Sequence, residues 1–117
     1  MKILVIDDSV DTLVMLEKYL TLNGHECHTT NNGLEGLALI NQNNFDAVFL
    51  DLVMQDFSGY EVIEQLVQNG RIRQNKIIVF TAGSLKEEQV DNLLSKGICT
   101  VLRKPVELRV LTQPLLV

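Results

Sequence analysis

The sequence has no long apolar run, no basic run and no cysteine pair at metal-binding spacing. Its apolar stretches fall well short of the roughly 20 residues that a membrane span needs. The apolar start resembles a signal peptide only superficially, because Asp7 and Asp8 interrupt it before a hydrophobic region can form. The net charge of −5, without a basic stripe, argues against nucleic acid and anionic membranes as direct partners. We therefore expect a cytoplasmic protein.

Cysteine and histidine are scarce and poorly spaced for a metal site. The two cysteines, Cys27 and Cys99, form no C-x-x-C motif, and we expect both to be small buried apolar residues. The two histidines, His25 and His28, share one segment and lack further ligands at metal-binding spacing. We expect a surface or strand role for both histidines.

The length and composition indicate one globular domain. The chain has 117 residues, of which 46% are hydrophobic and 21% charged, which is ordinary for a protein that buries its own core. The sequence shows no linker, internal repeat or low-complexity segment. We therefore expect residues 1–117 to form a single domain, without an effector domain.

Short apolar runs alternate with amphipathic helical patterns along the chain. The run at 47–50 has no polar alternation, which is typical of a strand covered on both faces, and it ends on Asp51. Capping-box patterns at Asn32, Ser58 and Ser84 indicate three helix starts. Strand then helix, repeated five times, predicts an α/β fold with a doubly wound parallel sheet and helices on both faces. The strands are expected at 3–6, 26–30, 47–51, 76–80 and 98–102, and a last helix from about Val106.

Polar side chains follow four of the five expected strands. The carboxyl ends of parallel strands meet at one edge of a sheet, so these side chains should converge there. Carboxylates that lie close together raise one another's pKa values unless a cation intervenes. The residues are Asp7 and Asp8 after the first strand, Asp51 after the third, Thr81 after the fourth and Lys104 after the fifth.

The chemistry of this set suits a divalent ion and a phosphoryl group. Oxygen-only ligands favour Mg²⁺, with Mn²⁺ acceptable. The ion and Lys104 would neutralise phosphoryl oxygens, and Thr81 would donate a hydrogen bond to them. A carboxylate in this position can itself be the nucleophile and form an acyl phosphate. Asp51 is the best candidate, because it ends the central strand.

Further residues complete a pattern around this set. Met54 and Gly59 follow Asp51, Ala82 follows Thr81, and Pro105 follows Lys104. With Asp7-Asp8, these motifs resemble those of a response-regulator receiver domain of two-component signalling, and the resemblance runs from Lys2 to about Leu111. It implies a flavodoxin-like sheet of strand order 2-1-3-4-5. In that order Cys27 and Cys99 lie on opposite edges, four spacings of about 4.8 Å apart, which is too far for a disulfide.

The resemblance implies a role in phosphoryl transfer for several of these residues. Asp51 would accept a phosphoryl group from a histidine kinase or a histidine phosphotransfer protein. Lys104 and Thr81 would bind the phosphoryl oxygens, and small Ala82 would leave room for them. The signal would pass to a downstream protein by binding, and no enzymatic activity is implied beyond self-phosphorylation and self-dephosphorylation.

The resemblance also implies a magnesium site. Asp8, Asp51 and the backbone carbonyl of Val53 would bind Mg²⁺, and Asp7 would hold a metal-bound water.

Four positions depart from the family pattern. Val101 lies where the family often has a Tyr or Phe that turns inward as the threonine moves towards the phosphoryl group. A valine cannot make that movement, so we expect phosphorylation with a muted or altered conformational response. The other departures are Gln55 for the usual proline, Val106 for the common phenylalanine after Lys-Pro, and Pro114, which should end or kink the last helix.

Three other functions compete with this interpretation. An aspartyl phosphatase would carry Asp-x-Asp after the first strand, whereas this chain has Asp7-Asp8-Ser9. A nucleotide-binding flavodoxin-like protein would carry G-x-x-x-x-G-K-[ST] or G-x-G-x-x-G there, and the chain has neither. A receiver-like module that binds a partner without phosphorylation stays open because of Val101.

Overall fold

The computed structural model describes residues 1–116, which form a five-stranded sheet with helices on both faces. The strands are β1 (Lys2–Ile6), β2 (Glu26–Thr30), β3 (Ala47–Leu50), β4 (Lys76–Thr81) and β5 (Thr100–Arg103). The helices are α1 (Val10–Leu22), α2 (Gly33–Gln42), α3 (Gly59–Gln68), α4 (Glu87–Lys96) and α5 (Leu108–Thr112), followed by a 3₁₀ helix at Gln113–Leu116. Within residues 1–116, no helix has the length and apolar character that crossing a membrane requires.

The strand order is β2-β1-β3-β4-β5, and every neighbouring pair is parallel. The expected α/β fold and strand order are therefore confirmed. Strand β3 is buried at every position, as its unbroken apolar sequence predicts. Strand β2 is an edge strand, and its sequence is accordingly short and polar.

The sheet separates two hydrophobic cores. On one face, Leu16 and Leu20 of α1 and Leu111 of α5 pack with Ile3 and Val5 of β1. On the other face, residues from α2, α3 and α4 pack with the remaining strand positions. The members of this second core include Ile40, Val62, Ile63, Leu66 and Leu93 with Leu4, Ile6, Val48 and Leu50.

Three helices begin where short polar side chains can cap them. The side-chain oxygens of Ser9, Asn32 and Ser58 each accept a hydrogen bond from the backbone N–H three residues on, at 3.3, 3.0 and 3.2 Å. Such a cap satisfies one of the N–H groups that a helix start leaves unpaired, and contributes about 1 kcal/mol. These bonds fix the starts of α1, α2 and α3, which follow the first three strands at the carboxyl edge of the sheet.

The boundaries expected in the last third of the chain are less accurate. Helix α4 begins at Glu87, because the Lys86 N–H donates to the Gln89 side chain at 2.8 Å and the Ser84 capping box is not used. Strand β5 covers 100–103 rather than 98–102. Helix α5 begins at Leu108 rather than at Val106, and it passes after five residues into the 3₁₀ helix that contains Pro114. Pro114 therefore ends the α-helix as expected.

The two cysteines lie at opposite sides of the sheet, and both are free. Cys27 on β2 is half-buried, and its burial, with a smaller contribution from Glu17, raises the pKa of its thiol to about 11. Cys99 precedes the edge strand β5 and is exposed, so the expectation that both cysteines are buried is wrong for Cys99. An edge strand covers its flanking residues on fewer sides than a central strand does.

The start of α3 is in close contact with the residues that follow β3. The Gly59 N–H donates to the Leu52 carbonyl at 3.0 Å. A Cβ at Gly59 would overlap the carbonyl oxygen of Asp51 and lie 2.7 Å from the Cα of Leu52. A residue without a side chain therefore lets α3 approach the backbone of Asp51 directly.

We expect Gly59→Ala to lower the free energy of unfolding by about 1–3 kcal/mol, because the atoms that its Cβ meets are backbone atoms that cannot rotate away. Urea unfolding followed by circular dichroism measures the change. Gly83→Ala is the matched control, since a Cβ there meets nothing closer than 3.8 Å. Equal unfolding midpoints for the two variants would contradict the close approach at Gly59.

Candidate functional site

Three carboxylates meet at the carboxyl edge of the sheet and form what we call the acidic pocket. Oxygen atoms of Asp7, Asp8 and Asp51, one from each, all lie within 4.8 Å of one another. Asp7 and Asp51 are only 2% and 6% exposed, whereas Asp8 faces solvent. The structure therefore brings together the three carboxylates that the sequence places at strand ends, with one side of the pocket open.

The register of the two central strands sets the relative positions of the buried carboxylates. Ile6 of β1 pairs with Leu50 of β3, so Asp7 and Asp51 leave neighbouring strands at the same level. The Asp51 N–H donates to the Ile6 carbonyl at 2.9 Å and extends this pairing by one residue. The side chain of Asp7 is held by the N–H of Ser9 at 2.9 Å. Hydrogen bonds within the chain thus fix the backbone of Asp51 and the carboxylate of Asp7.

Lys104 places its ammonium group against the two buried carboxylates. Its Nζ lies 2.6 Å from Asp7 Oδ2 and 3.8 Å from Asp51 Oδ2. Its backbone N–H donates to the Thr81 carbonyl at 2.9 Å, which fixes the residue beside the end of β4. One ammonium cannot neutralise three carboxylates, so the pocket keeps a negative charge that favours a further cation.

The wall of the pocket on the β4 side is small and polar. Thr81 is 1% exposed, and its hydroxyl accepts a hydrogen bond from the Gly83 N–H at 3.4 Å. Ala82 and Gly83 line the opening together with Val53, whose N–H donates to Asp51 Oδ1 at 3.3 Å. The side chain of Val53 points largely to solvent, and the part of its carbonyl as a metal ligand stays a prediction.

The environment of Asp51 favours its protonated form. Burial raises the pKa of Asp51 most, and the neighbouring charge of Asp7 raises it further. The ammonium of Lys104, the N–H of Val53 and the hydroxyl of Thr81 lower the pKa of Asp51, but by less. A divalent cation in the pocket would therefore promote the ionised carboxylate, which is the nucleophilic form.

The donor set of the pocket fits Mg²⁺. All three side chains offer carboxylate oxygens, which hard cations prefer, and no sulfur or imidazole ligand lies in the group. The exposed side at Asp8 leaves space for the waters that Mg²⁺ retains when it binds to proteins. Asp7, Asp8 and Asp51 are therefore the residues that could hold the ion.

Two contacts at the site were not predicted from the sequence. The Ser9 N–H bond to Asp7 closes a turn that an Asp two residues before a helix cap could have indicated. The second contact is the ring of Phe80, whose centroid lies 5.1 Å from the Nζ of Lys104. In the sequence Phe80 is only the last apolar residue of a buried strand, and no motif marks it.

The whole arrangement matches a known family. The family model described as the response regulator receiver domain matches residues 3–115. The chain belongs to the response regulator receiver domain family. The resemblance inferred from the motifs is therefore confirmed, and the chain is a receiver domain of the kind found in two-component systems. Receiver domains bind Mg²⁺ at an acidic pocket, and Asp7, Asp8 and Asp51 form such a pocket here.

Relatives of this receiver domain include both short and very long proteins. Protein PilH of Pseudomonas aeruginosa is 31% identical over 108 residues, which are 91% of this chain and 87% of PilH. Sensor histidine kinase RcsC of Escherichia coli is 34% identical over 115 residues, which are 98% of this chain but only 12% of the kinase. The chain thus spans a small part of the sensor kinases that it matches.

Solved receiver structures superpose closely on this one. Vibrio cholerae chemotaxis protein CheY4 gives a TM-score of 0.86 at 25% identity, with 98% of this chain and 95% of that chain covered. Response regulator TrrA from Thermotoga maritima, in complex with Mg²⁺-BeF, gives a TM-score of 0.80 at 29% identity, with 97% and 95% covered. The five-stranded fold of the present chain is therefore the CheY-like one.

We expect Asp51→Asn to stabilise the receiver domain increasingly as the pH rises from about 4 towards neutrality. The folded-state pKa of Asp51 is raised above the unfolded value. The native state therefore loses stability as the pH rises between the unfolded and folded pKa values, and an amide does not incur this loss. The measurement is the difference in urea unfolding free energy between variant and parent across that pH range, without divalent ions.

Asp91→Asn, which removes an exposed carboxylate from α4, controls for the change in net charge. A stability difference for Asp51→Asn that stays flat with pH, or that falls as the pH rises, would show that the native site does not disfavour the ionised form of Asp51.

Proposed function

We propose that this receiver domain takes a phosphoryl group onto Asp51 from a histidine kinase or a histidine phosphotransfer protein and signals by binding a downstream protein. The observation that carries the proposal is the placement of Asp51. Its carboxylate is buried at the end of the central strand and 3.8 Å from the ammonium of Lys104, with two more carboxylates beside it. A carboxylate with a purely structural role would not require two further carboxylates beside it, with only one ammonium to neutralise all three.

The transfer step follows from the groups around Asp51. An Asp51 carboxylate oxygen attacks phosphorus, an O–P bond forms, and the P–N bond of the phosphohistidine breaks, so that the imidazole nitrogen leaves with the bonding electron pair. Lys104 is close enough to neutralise an oxygen of the transferred group, and the hydroxyl of Thr81 supplies a hydrogen bond. Ala82 leaves the space that a larger side chain would fill.

Magnesium dependence is part of the proposal. Asp8, Asp51 and the Val53 carbonyl would hold Mg²⁺, with Asp7 acting through a bound water, and Mn²⁺ could replace it. When bound, the ion supplies positive charge that offsets the carboxylates and the phosphoryl oxygens. The solved complex of response regulator TrrA with Mg²⁺-BeF supports magnesium binding by a protein of this fold. The chain itself supplies the nucleophile, which is Asp51, together with the ammonium of Lys104 and the hydroxyl of Thr81.

A second candidate is a receiver that binds its partner without phosphorylation. The observation that favours it is Val101, a half-buried valine on β5 where the resemblance leads us to expect an aromatic switch residue. The acidic pocket and its contact with Lys104 favour the phosphorylated receiver instead. Failure to bind Mg²⁺ in a titration would favour the second candidate, because the phosphorylated receiver needs the ion.

We expect Asp51→Ala to abolish Mg²⁺-dependent labelling by a small phosphodonor such as acetyl phosphate, because the variant lacks the nucleophile. Intact-protein mass spectrometry before and after addition of EDTA detects the acyl phosphate. Asp56→Ala, which removes an exposed carboxylate from the same loop, is the matched control and should be labelled like the parent. Labelling that persists in Asp51→Ala would overturn the assignment of the phosphoacceptor.

Phosphotransfer profiling against candidate kinases, with Asp51→Ala as the negative control, would then identify the donor. Transfer from no histidine kinase or histidine phosphotransfer protein, despite labelling by acetyl phosphate, would count against the proposed partners. It would leave the chemistry of Asp51 intact.

We expect only small changes in amide exchange over Ser84–Lys96 when beryllofluoride and Mg²⁺ are added, because Val101 cannot make the aromatic movement that normally accompanies the threonine shift. Hydrogen–deuterium exchange mass spectrometry, with and without the phosphoryl mimic, measures this. Protection around residues 51–59 serves as the internal control that the mimic has bound. Large changes over Ser84–Lys96 would contradict the altered response.

A further inference from the structure

The ammonium group of Lys104 has a third neighbour besides Asp7 and Asp51, which is the ring of Phe80. The Nζ of Lys104 lies 5.1 Å from the ring centroid, within the range of a cation–π interaction. Phe80 is only 5% exposed and belongs to the core between the sheet and α1 and α5. It is also the only aromatic residue after Tyr60 in the sequence.

The strand order explains why the side chain of Lys104 needs a further contact along its length. Lys104 follows β5, whereas Asp7 follows β1, and β3 and β4 lie between these two strands. At about 4.8 Å per strand, the side chain of Lys104 has to reach over the end of β4 to bring its ammonium within 2.6 Å of Asp7. Phe80 is the penultimate residue of β4, and the ammonium of Lys104 lies over its ring.

The other constraints on Lys104 act at the two ends of the residue. Its backbone is fixed by the bond from its N–H to the Thr81 carbonyl, and its Nζ is held by Asp7. A lysine side chain between such ends has several rotatable bonds, and it gains entropy if it turns out to solvent. The face of an aromatic ring attracts a cation most strongly where water is excluded, as at this nearly buried site.

We propose that Phe80 is a positioning residue, whose ring holds the ammonium of Lys104 over the acidic pocket so that it can meet a phosphoryl oxygen on Asp51. The inference rests on the proposed function. A phosphoryl group on Asp51 competes with Asp7 for the ammonium, and the ring is the contact that need not break when Lys104 changes partner. Phe80 thereby acts through Lys104 and does not itself touch the reacting atoms.

The test compares Phe80→Leu, which removes the ring, with Phe80→Tyr, which keeps it. Phe80→Met serves as a second ring-free variant if Phe80→Leu folds poorly. The matched control is Phe45→Leu, because Phe45 is equally buried and holds the ammonium of Lys2 at the same 5.1 Å, at the opposite end of the sheet. Proton NMR of the lysine ε-methylene groups reports the contact directly, since a ring face shifts nearby protons upfield.

We expect the Lys104 ε-methylene protons to be shifted upfield in the parent and in Phe80→Tyr, and to lose that shift in Phe80→Leu and Phe80→Met. In Phe45→Leu only the Lys2 protons should lose their shift. The rate constant for phosphorylation by acetyl phosphate should fall about three- to tenfold in the ring-free variants. It should stay within about twofold of the parent in Phe80→Tyr and Phe45→Leu.

Magnesium affinity separates positioning from damage to the fold. Losing the hold on Lys104 removes a competing cation from the pocket, so Mg²⁺ should bind the ring-free variants at least as tightly as the parent. Weaker Mg²⁺ binding, an unchanged Lys104 shift in Phe80→Leu, or equally slow phosphorylation of Phe80→Tyr and Phe80→Leu would each overturn the inference. If the parent is not phosphorylated at all, the proposed function fails, while the Lys104 shift still decides whether the ring holds the ammonium.

Discussion

The contact between Lys104 and the buried carboxylates is the interaction on which the site depends. Two carboxylates with almost no exposure to water lie side by side, and burying such charges is costly unless they are paired. Lys104 pairs closely with Asp7 and more distantly with Asp51. The pairing is incomplete, because one ammonium faces three carboxylates. This deficit of positive charge leaves a place for a metal ion, and it leaves Asp51 without a close ion pair.

The fold provides this arrangement through backbone register rather than through side-chain packing. Asp7 and Asp51 leave adjacent strands at one level, and Lys104 returns to the same edge after β5 because its N–H is bound to Thr81. At Gly59, helix α3 lies directly against the backbone of Asp51 and Leu52. A site built on strand ends in this way holds its charges in place before a ligand arrives, so less reorganisation accompanies ligand binding.

The sequence predicts the parts of this structure that depend on local pattern. Strand β2, the end of α1 and the caps at Asn32 and Ser58 follow from residues within a few positions of each other. The convergence of the site residues could also be predicted, since it requires only that the strands be parallel. The start of α4 could not be predicted, because the capping box is at Ser84, whereas the helix begins at Glu87, where the Gln89 side chain accepts the Lys86 N–H. The exposure of Cys99 and the ring beneath Lys104 depend on which elements lie nearby in space.

The two cores on either side of the sheet determine which helices a structural change at Asp51 could reach. Val101 packs against the core on the α2, α3 and α4 side, whereas Phe80 belongs to the core on the α1 and α5 side. Val101 is smaller than the aromatic residue that the resemblance leads us to expect at this position. Lys104, by contrast, touches an aromatic ring whose core also packs against Val106 and Leu108, next to the start of α5. If Lys104 exchanges Asp7 for a phosphoryl oxygen, its ammonium moves next to the ring of Phe80. The large side chain beside this movement therefore lies on the α1 and α5 face of the sheet.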